Sequence, residues 1–291
     1  MSPDLVAAAA EFARVRPRLF GIAYRMLSSV HEAEDLVQDV WLKWQAYDRS
    51  TVREPAAFLA TTTTRLAINA TQTARARRET YVGPWLPEPV DTSADPTLGA
   101  ERAEALELAM LVLLEKLSPT QRAAYILREA FDYPYDQIAE IVQLSEPNVR
   151  QLVSRSRKRL ADERREPVSA GEQRKLLTAF MAAAQEGDLT TLVELLAADA
   201  VSYSDGGGIV RATKMAVLGA ERVAKVIAAY AGHFWNDSAL TFAETNGGWS
   251  AVVSRAGEVF VVVSISASAD GIDQVQFMLN PEKLAELTFT G

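Results

Sequence analysis

The sequence predicts a multidomain chain, two all-α domains followed by an α+β domain. Three observations predict it. Residues 1–80 and 105–165 place apolar side chains at helical spacing. Between them, residues 81–104 open on YVGPWLPEPVDTSADPTLGA, with four prolines and no Lys or Arg. Such a run removes backbone donors and stops helices, so it is a linker. Over residues 170–291 the apolar period changes partway along from helical to strand-like.

The elements follow in order. In DLVQDVWLKW the residues Leu36, Val37, Val40, Trp41 and Trp44 form one helix face. Asp35, Gln38, Asp39 and Leu42 form the opposite one. A leucine displayed among acids and an amide suits docking of a basic partner; a helix surface with one stray leucine reads equally well. Downstream, Phe58 to Asn69 carries four consecutive threonines and leads into Arg75, Arg77 and Arg78. Hydroxyls, an amide and arginines suit a nucleic-acid backbone and unstacked bases, and four threonines equally suit helix packing.

Next comes a helix-turn-helix. Ser118-Pro119-Thr120-Gln121 has the form of a helix start, with Ser118 as cap, Pro119 in the first turn and Gln121 reaching back. Tyr135 to Val142 is a short amphipathic helix. Gln143-Leu144-Ser145 turns the chain, and Ser145 is expected to cap a last helix from Glu146 to Leu160. On a helical wheel Val149, Leu152, Val153, Ser156 and Leu160 share one side. Pro147, Arg150, Gln151, Ser154, Arg155 and Lys158 share the other, with Arg157 at its edge. Residues 150–165 hold seven basic and two acidic side chains. A DNA reader needs positive charge at this place, with base edges met by the helix start and phosphates by flanking Arg and Lys.

In the last part Leu176, Leu177, Phe180, Met181 and Ala184 give a helix face, and Leu189–Leu196 and Met215–Phe234 read as two further helices. Leu240–Thr245, Trp249–Ser254, Val259–Ala267 and Ile272–Leu279 read as strands of an antiparallel meander. Asn246-Gly247-Gly248, the stretch around Gly257, and Asp270-Gly271 supply its turns. Val259 to Val263 is apolar on both faces, so its strand should be central and covered.

Charge sharpens the division. The chain has 30 Lys+Arg, 38 Asp+Glu and a net charge of -8, which taken whole opposes phosphate binding. Residues 1–80 have 11 basic and 9 acidic groups, 81–165 have 11 and 14, and 166–291 have 8 and 15, giving +2, -3 and -7. The acidity belongs mostly to the last domain. With no cysteine and only His31 and His233, neither a disulfide, a metal site nor a cofactor is expected. The longest apolar run, Leu108 to Leu114, is far below the roughly 18 residues that span a membrane. MSPDLVAAAAEFARVRPRLF lacks the basic start and apolar core of a signal peptide, so a cytoplasmic location is expected.

The two helical blocks together resemble extracytoplasmic-function (ECF) sigma factors. Residues 14–80, with AEDLVQDVWLKW, resemble region 2. Residues 113–160, from LEKLSPTQRAAYILREAFDYPYDQIAEI through SEPNVRQLVSRSRKRL, resemble region 4. The remainder resembles the subgroup carrying a C-terminal SnoaL-like domain, an α+β cone of the nuclear-transport-factor-2-like fold. Its signatures are WLPEP (Trp85, Leu86, Pro87, Glu88, Pro89), DGGG (Asp205, Gly206, Gly207, Gly208) and NPEKL (Asn280, Pro281, Glu282, Lys283, Leu284).

The resemblance implies a non-enzymatic transcription initiation factor whose partners are core RNA polymerase and promoter DNA. Asp35, Gln38, Asp39 and Leu42 would meet the clamp helices of the largest subunit, and region 4 the flap region. Arg65, Asn69, Arg75, Arg77 and Arg78 would lie along the -10 element. Ser145, Pro147, Asn148, Arg150, Gln151, Ser154, Arg155, Arg157 and Lys158 would serve the -35 element. Asn148 and Leu152 depart from the usual recognition helix, and Arg65 and Asn69 from region 2, so base preference does not carry over. The acidic linker, through Glu88, Asp91 and Asp95, would thread basic channels of the polymerase or serve as a solvated tether.

In the SnoaL-like domain Tyr203, Asp205, His233, Trp235 and Trp249 are the residues that would wall a ligand pocket. A lone Asp and His are more often structural than catalytic, so no catalytic residue is assigned. The resemblance implies regulation in cis, with DGGG and NPEKL as contact loops toward the linker and the two sigma regions. The second reading is a SnoaL-like enzyme or ligand-binding module fused to a DNA-binding regulator.

Overall fold

The computed structural model describes residues 3–92, 107–285 and 287, and they form two compact units. Residues 3–79 and 110–163 make a helical unit. Residues 80–92 and 107–109 belong with 164–287 in the other. Asp95 lies outside the described residues.

The helical unit starts with α1 (Pro3–Leu27), α2 (Val30–Ala46) and α3 (Pro55–Glu79). Ser29 caps α2 by accepting from the Glu32 N–H. The expected inner face of α2 is buried at Leu36, Val37, Val40 and Trp44, and Trp41 meets the Phe12 ring at 5.0 Å. The threonine run is a packing device. Hydroxyls of Thr61 to Thr64 donate to the carbonyls of residues 57 to 60, and Thr63 and Thr64 are fully buried.

The second half holds α4 (Leu108–Leu114), α5 (Pro119–Glu129), α6 (Tyr135–Val142) and α7 (Glu146–Ala161). Ser118 and Gln121 form the reciprocal capping box that their spacing suggests. Ser145 stands at the N-cap of α7 but makes no side-chain cap bond, so that helix starts on Pro147 and its own backbone instead. Gln143 takes a left-handed conformation, with φ 57°, to turn the chain between α6 and α7.

A charged network joins the two halves of this unit. Arg122 is 1 % exposed and donates to the carbonyls of Leu114 and Met26 and to the Glu115 carboxylate, at 2.9, 2.6 and 2.8 Å. Arg78 binds the same carboxylate and the Leu27 carbonyl. Burial alone would raise the Glu115 carboxyl, but the Arg122 guanidinium, followed by that of Arg78, holds it below its usual range.

The other unit comprises α8 (Ala170–Glu186), α9 (Leu189–Leu195), β1 (Leu196–Asp205), β2 (Val217–Leu218), α10 (Ala220–Phe234), β3 (Ser238–Thr245), β4 (Gly248–Arg255), β5 (Glu258–Ser268), β6 (Gly271–Met278) and α11 (Pro281–Leu284). The sheet order is β2-β1-β6-β5-β4-β3. The meander β3 to β6 is antiparallel as expected, and β5 lies inside the sheet with Val261, Val262 and Val263 buried. One strand was not anticipated and one expectation is corrected. The strand β1, parallel to β6, extends the meander, and its run LAADAVSYSD lacks clean alternation. Residues 215–219 are not helical: Val217 and Leu218 pair with β1, and α10 starts only at Ala220. Phe180, Val223, Val253, Val263 and Ile272 lie in one core between helices and sheet.

Candidate functional site

On α2 the four side chains Asp35, Gln38, Asp39 and Leu42 are all exposed, and Leu42 is 54 % exposed. His31 approaches Asp35 at 3.6 Å. A protruding Leu beside two carboxylates and an amide offers an apolar contact with an acidic rim.

The α7 surface is built by its buried stripe. Val149, Val153, Ser156 and Leu160 turn inward, which leaves Ser145, Pro147, Asn148, Arg150, Gln151, Ser154, Arg155, Arg157 and Lys158 exposed. Two of these cations are held. Arg150 binds Glu146 and lies 4.3 Å from the Tyr135 ring centre, and Arg157 binds Glu129 at 2.6 Å. Among the described residues Arg155 and Lys158 make no ion pair, so their charges are available to an anion.

On α3 the arginines are not equivalent. Asn69, Arg75 and Arg77 are exposed, with Arg77 paired to Glu32 at 2.5 Å. Arg78 is only 13 % exposed and belongs to the Glu115 network, so in this form it is not displayed for a ligand. Arg65 donates to the Ile141 and Glu140 carbonyls at 3.0 and 2.9 Å. These are carbonyls at the C-terminal end of α6, where the helix leaves acceptors free and its dipole favours a cation.

The three sequence signatures meet in the other unit. Asp205, fully buried, accepts from the Tyr81 hydroxyl (2.5 Å), the Leu86 N–H (2.9 Å), the Gly207 N–H (3.1 Å) and Lys283 (2.8 Å). Lys283, 8 % exposed, also donates to the Leu86 carbonyl at 2.5 Å and lies 4.2 Å from the Trp85 ring centre. Asn280 caps α11 and donates to the Tyr81 oxygen at 2.9 Å. Burial, with Asp205 alongside, pushes the Tyr81 hydroxyl far above its usual range, so it stays a donor. Leu86, Pro87 and Pro89 are buried, while Trp85 and Glu88 are partly covered.

The glycines make room for this contact. Gly207 has φ +64°, and a Cβ there would stand 2.5 Å from the Asn280 amide nitrogen; at Gly206 it would stand 2.3 Å from the Val210 carbonyl oxygen. Farther along, the Val90 N–H donates to the Asn246 side chain, and Asn246 N–H returns a bond to the Val90 carbonyl, both at 2.9 Å. Asp91 forms a bridge with Thr245 at the end of β3.

The expected pocket wall is largely displaced. The domain contains a cavity of about 690 Å³. Trp235 lines it, whereas Tyr203, Asp205 and Trp249 do not. Ser202 and Ser204 line it instead, because strand side chains alternate and Tyr203 falls on the other face. Asp205 is taken by the linker, and Trp249 stacks under Arg174 at 4.0 Å. The His233 side chain lies outside the described residues. Sequence reasoning missed the Arg122–Glu115–Arg78 network and the role of Tyr81; residue spacing carries no signal for either.

Comparisons with known proteins fit this geometry. Residues 12–78 match the family described as Sigma-70 region 2, and residues 107–160 match Sigma-70, region 4. The chain is 37 % identical to the ECF RNA polymerase sigma factor SigJ of Mycobacterium tuberculosis (strain ATCC 25618 / H37Rv) over 75 % of its own length and 71 % of that protein. It is 28 % identical to a probable ECF RNA polymerase sigma factor, SigI, of the same organism, over 94 % and 93 % of the two chains. The crystal structure of M. tuberculosis extracytoplasmic function sigma factor SigJ superimposes with a TM-score of 0.76 at 31 % identity, covering 95 % of this chain and 98 % of that one.

Proposed function

The chain belongs to the extracytoplasmic-function sigma factors, and from that premise we propose which of its surfaces serve each step. Sigma factors of this family bind core RNA polymerase and promoter DNA and direct transcription initiation. Here the α2 surface of Asp35, Gln38, Asp39 and Leu42 binds the clamp helices of the largest subunit. The α7 surface reads the -35 element and region 4 contacts the flap. Asn69, Arg65, Arg75 and Arg77 meet the -10 element, joined by Arg78 once it leaves Glu115.

Two separate readers gain affinity and specificity when one polymerase fixes their spacing. The -10 and -35 elements are about 25 base pairs apart, roughly 85 Å at ~3.4 Å per step. The bonds from Arg65 to α6 therefore describe a closed helical unit that opens before both elements are read.

The SnoaL-like domain regulates the factor in cis by holding the linker. The observation that carries this reading is the buried Asp205–Lys283 pair that grips both backbone polar groups of Leu86. A linker held in this way is withheld from the polymerase, and its negative groups Glu88 and Asp91 are withheld with it.

Capture on core polymerase tests the function. The full-length chain should be retained with 1:1 stoichiometry. The double variant Asp39→Lys, Leu42→Ala should lose about tenfold or more in affinity, which is ~1.4 kcal/mol. Both positions are exposed, so the circular dichroism should not change. Equal capture of the variant contradicts the assigned surface. Absence of capture by the unaltered chain favours the reading of an ordinary DNA-binding regulator.

A further inference from the structure

The 690 Å³ cavity of the C-terminal unit lies among α8, α10 and the sheet. Its body is apolar, formed by Phe180, Ile227, Phe260 and Phe277 with smaller aliphatic side chains. A space of this size and character is the usual setting for a small molecule held by apolar contact and a few polar groups.

The charges on its wall are Arg211, Arg255 and Glu258, two positive against one negative. Arg255 is engaged, donating to the Phe234 carbonyl at 3.0 Å and lying 4.6 Å from the Phe260 ring centre. Among the described residues Arg211 has no hydrogen-bond or ion-pair partner. Two residues on, Thr213 also lines the cavity, and its hydroxyl is buried with no hydrogen-bond partner among the described residues. A buried hydroxyl in that state is an unmet donor. An unengaged guanidinium and an unmet hydroxyl on one short segment beside an apolar chamber define the complement: an anionic acceptor joined to an apolar body.

We propose that this cavity binds a carboxylate-headed apolar small molecule, with the carboxylate at Arg211 and Thr213 and the apolar body among Phe180, Phe260 and Phe277. The placement gives binding a consequence. The segment bearing Arg211 and Thr213 continues directly from Asp205–Gly208, and Leu279, Pro281 and Leu284 of the cavity wall flank Asn280 and Lys283. Ligand and linker are thus held by the same two segments, so occupancy braces the grip on Leu86. This consequence rests on the cis-regulatory reading, whereas the binding site does not.

Dodecanoate is a suitable probe, titrated onto the full-length chain by calorimetry and compared with dodecanol and dodecyltrimethylammonium. One saturable site is expected for dodecanoate, with weaker binding of the alcohol and weakest binding of the cation. Arg211→Gln should weaken dodecanoate by about tenfold or more and leave dodecanol unchanged. Thr213→Val should weaken it by a smaller factor, and circular dichroism of both variants shows whether they fold. The proposal is overturned if the three probes bind alike, if Arg211→Gln binds dodecanoate as the unaltered chain does, or if no saturable site exists. The regulatory reading has a separate readout. A site that passes these tests, in a chain whose transcription ignores loss of the whole domain, upholds the ligand site and defeats the regulation. A failed site in a chain whose transcription responds to that loss does the reverse.

Discussion

Replacing Asp205 by alanine should cost the C-terminal unit about 3–5 kcal/mol and release the linker from it. The carboxylate is fully buried and is met by four donors: the Tyr81 hydroxyl, two backbone N–H groups and the Lys283 ammonium. Its removal leaves Lys283 charged in a site only 8 % exposed, with the Leu86 N–H and the Tyr81 hydroxyl unmatched. Each stranded group adds to the loss, since an unmatched buried donor costs more than a formed hydrogen bond contributes. Asp205→Asn keeps the shape and some acceptor capacity, so it should lose less. Thermal unfolding and amide exchange at Leu86 check this. Unchanged Leu86 protection in Asp205→Ala would show that the aspartate does not hold the linker.

Arg122→Ala should loosen the helical unit to a comparable degree, about 3–5 kcal/mol, or a fall on the order of 10 °C in its melting temperature. The guanidinium, on α5, has almost no contact with water and satisfies two backbone carbonyls, Met26 of α1 and Leu114 at the end of α4. Arg122→Lys retains the charge but loses the planar fork, so it should rescue only part of the loss. The same junction should be acid-sensitive. The Glu115 carboxyl is held below its ordinary 4.5, so its contribution is present above that value. It is lost as pH falls through the lower folded value, because the folded form must then take up a proton it resists. Melting that is indifferent to Arg122→Ala would remove this network from the account.

Much of the framework was legible in the chain. The buried face of α2, the capping box at Ser118 and Gln121, the polar surface of α7 and the four meander strands follow from periodicity and turn residues, which act locally. What was not legible depends on partners far apart. Tyr81 meets Asp205 across 124 positions, and Lys283 meets it across 78. No periodicity in either segment encodes that meeting; only the family resemblance, through DGGG and NPEKL, pointed to contact with the linker. Asp205 read both as a pocket residue and, through DGGG, as part of a contact loop toward the linker; it lies outside the cavity and bonds the linker at Tyr81 and Leu86. Arg78 read as one more displayed arginine, because its burial depends on Glu115 arriving from another helix. The strand β1 escaped because its alanines and Asp199 break the alternation, and β2 because two residues carry no period.

The acidity of the last domain also takes on a local meaning. Arg165, the end of the basic run, is bonded to Asp199 and Asp273 at 2.6 and 2.5 Å. The burial of the Asp205–Lys283 pair shields it from salt far more than such exposed pairs. Linker retention should accordingly persist in salt that weakens the surface contacts.

The most direct test of regulation in cis is promoter-dependent transcription with purified core polymerase, comparing the full-length chain with one ending at Pro167. The shortened chain keeps both sigma regions and the linker but loses Asp205, Asn280 and Lys283, the residues that hold it. The account predicts a marked difference in transcript yield between the two, with Asp205→Ala in the full-length chain moving the yield in the same direction as the truncation. Identical yields from full-length and shortened chains would contradict it.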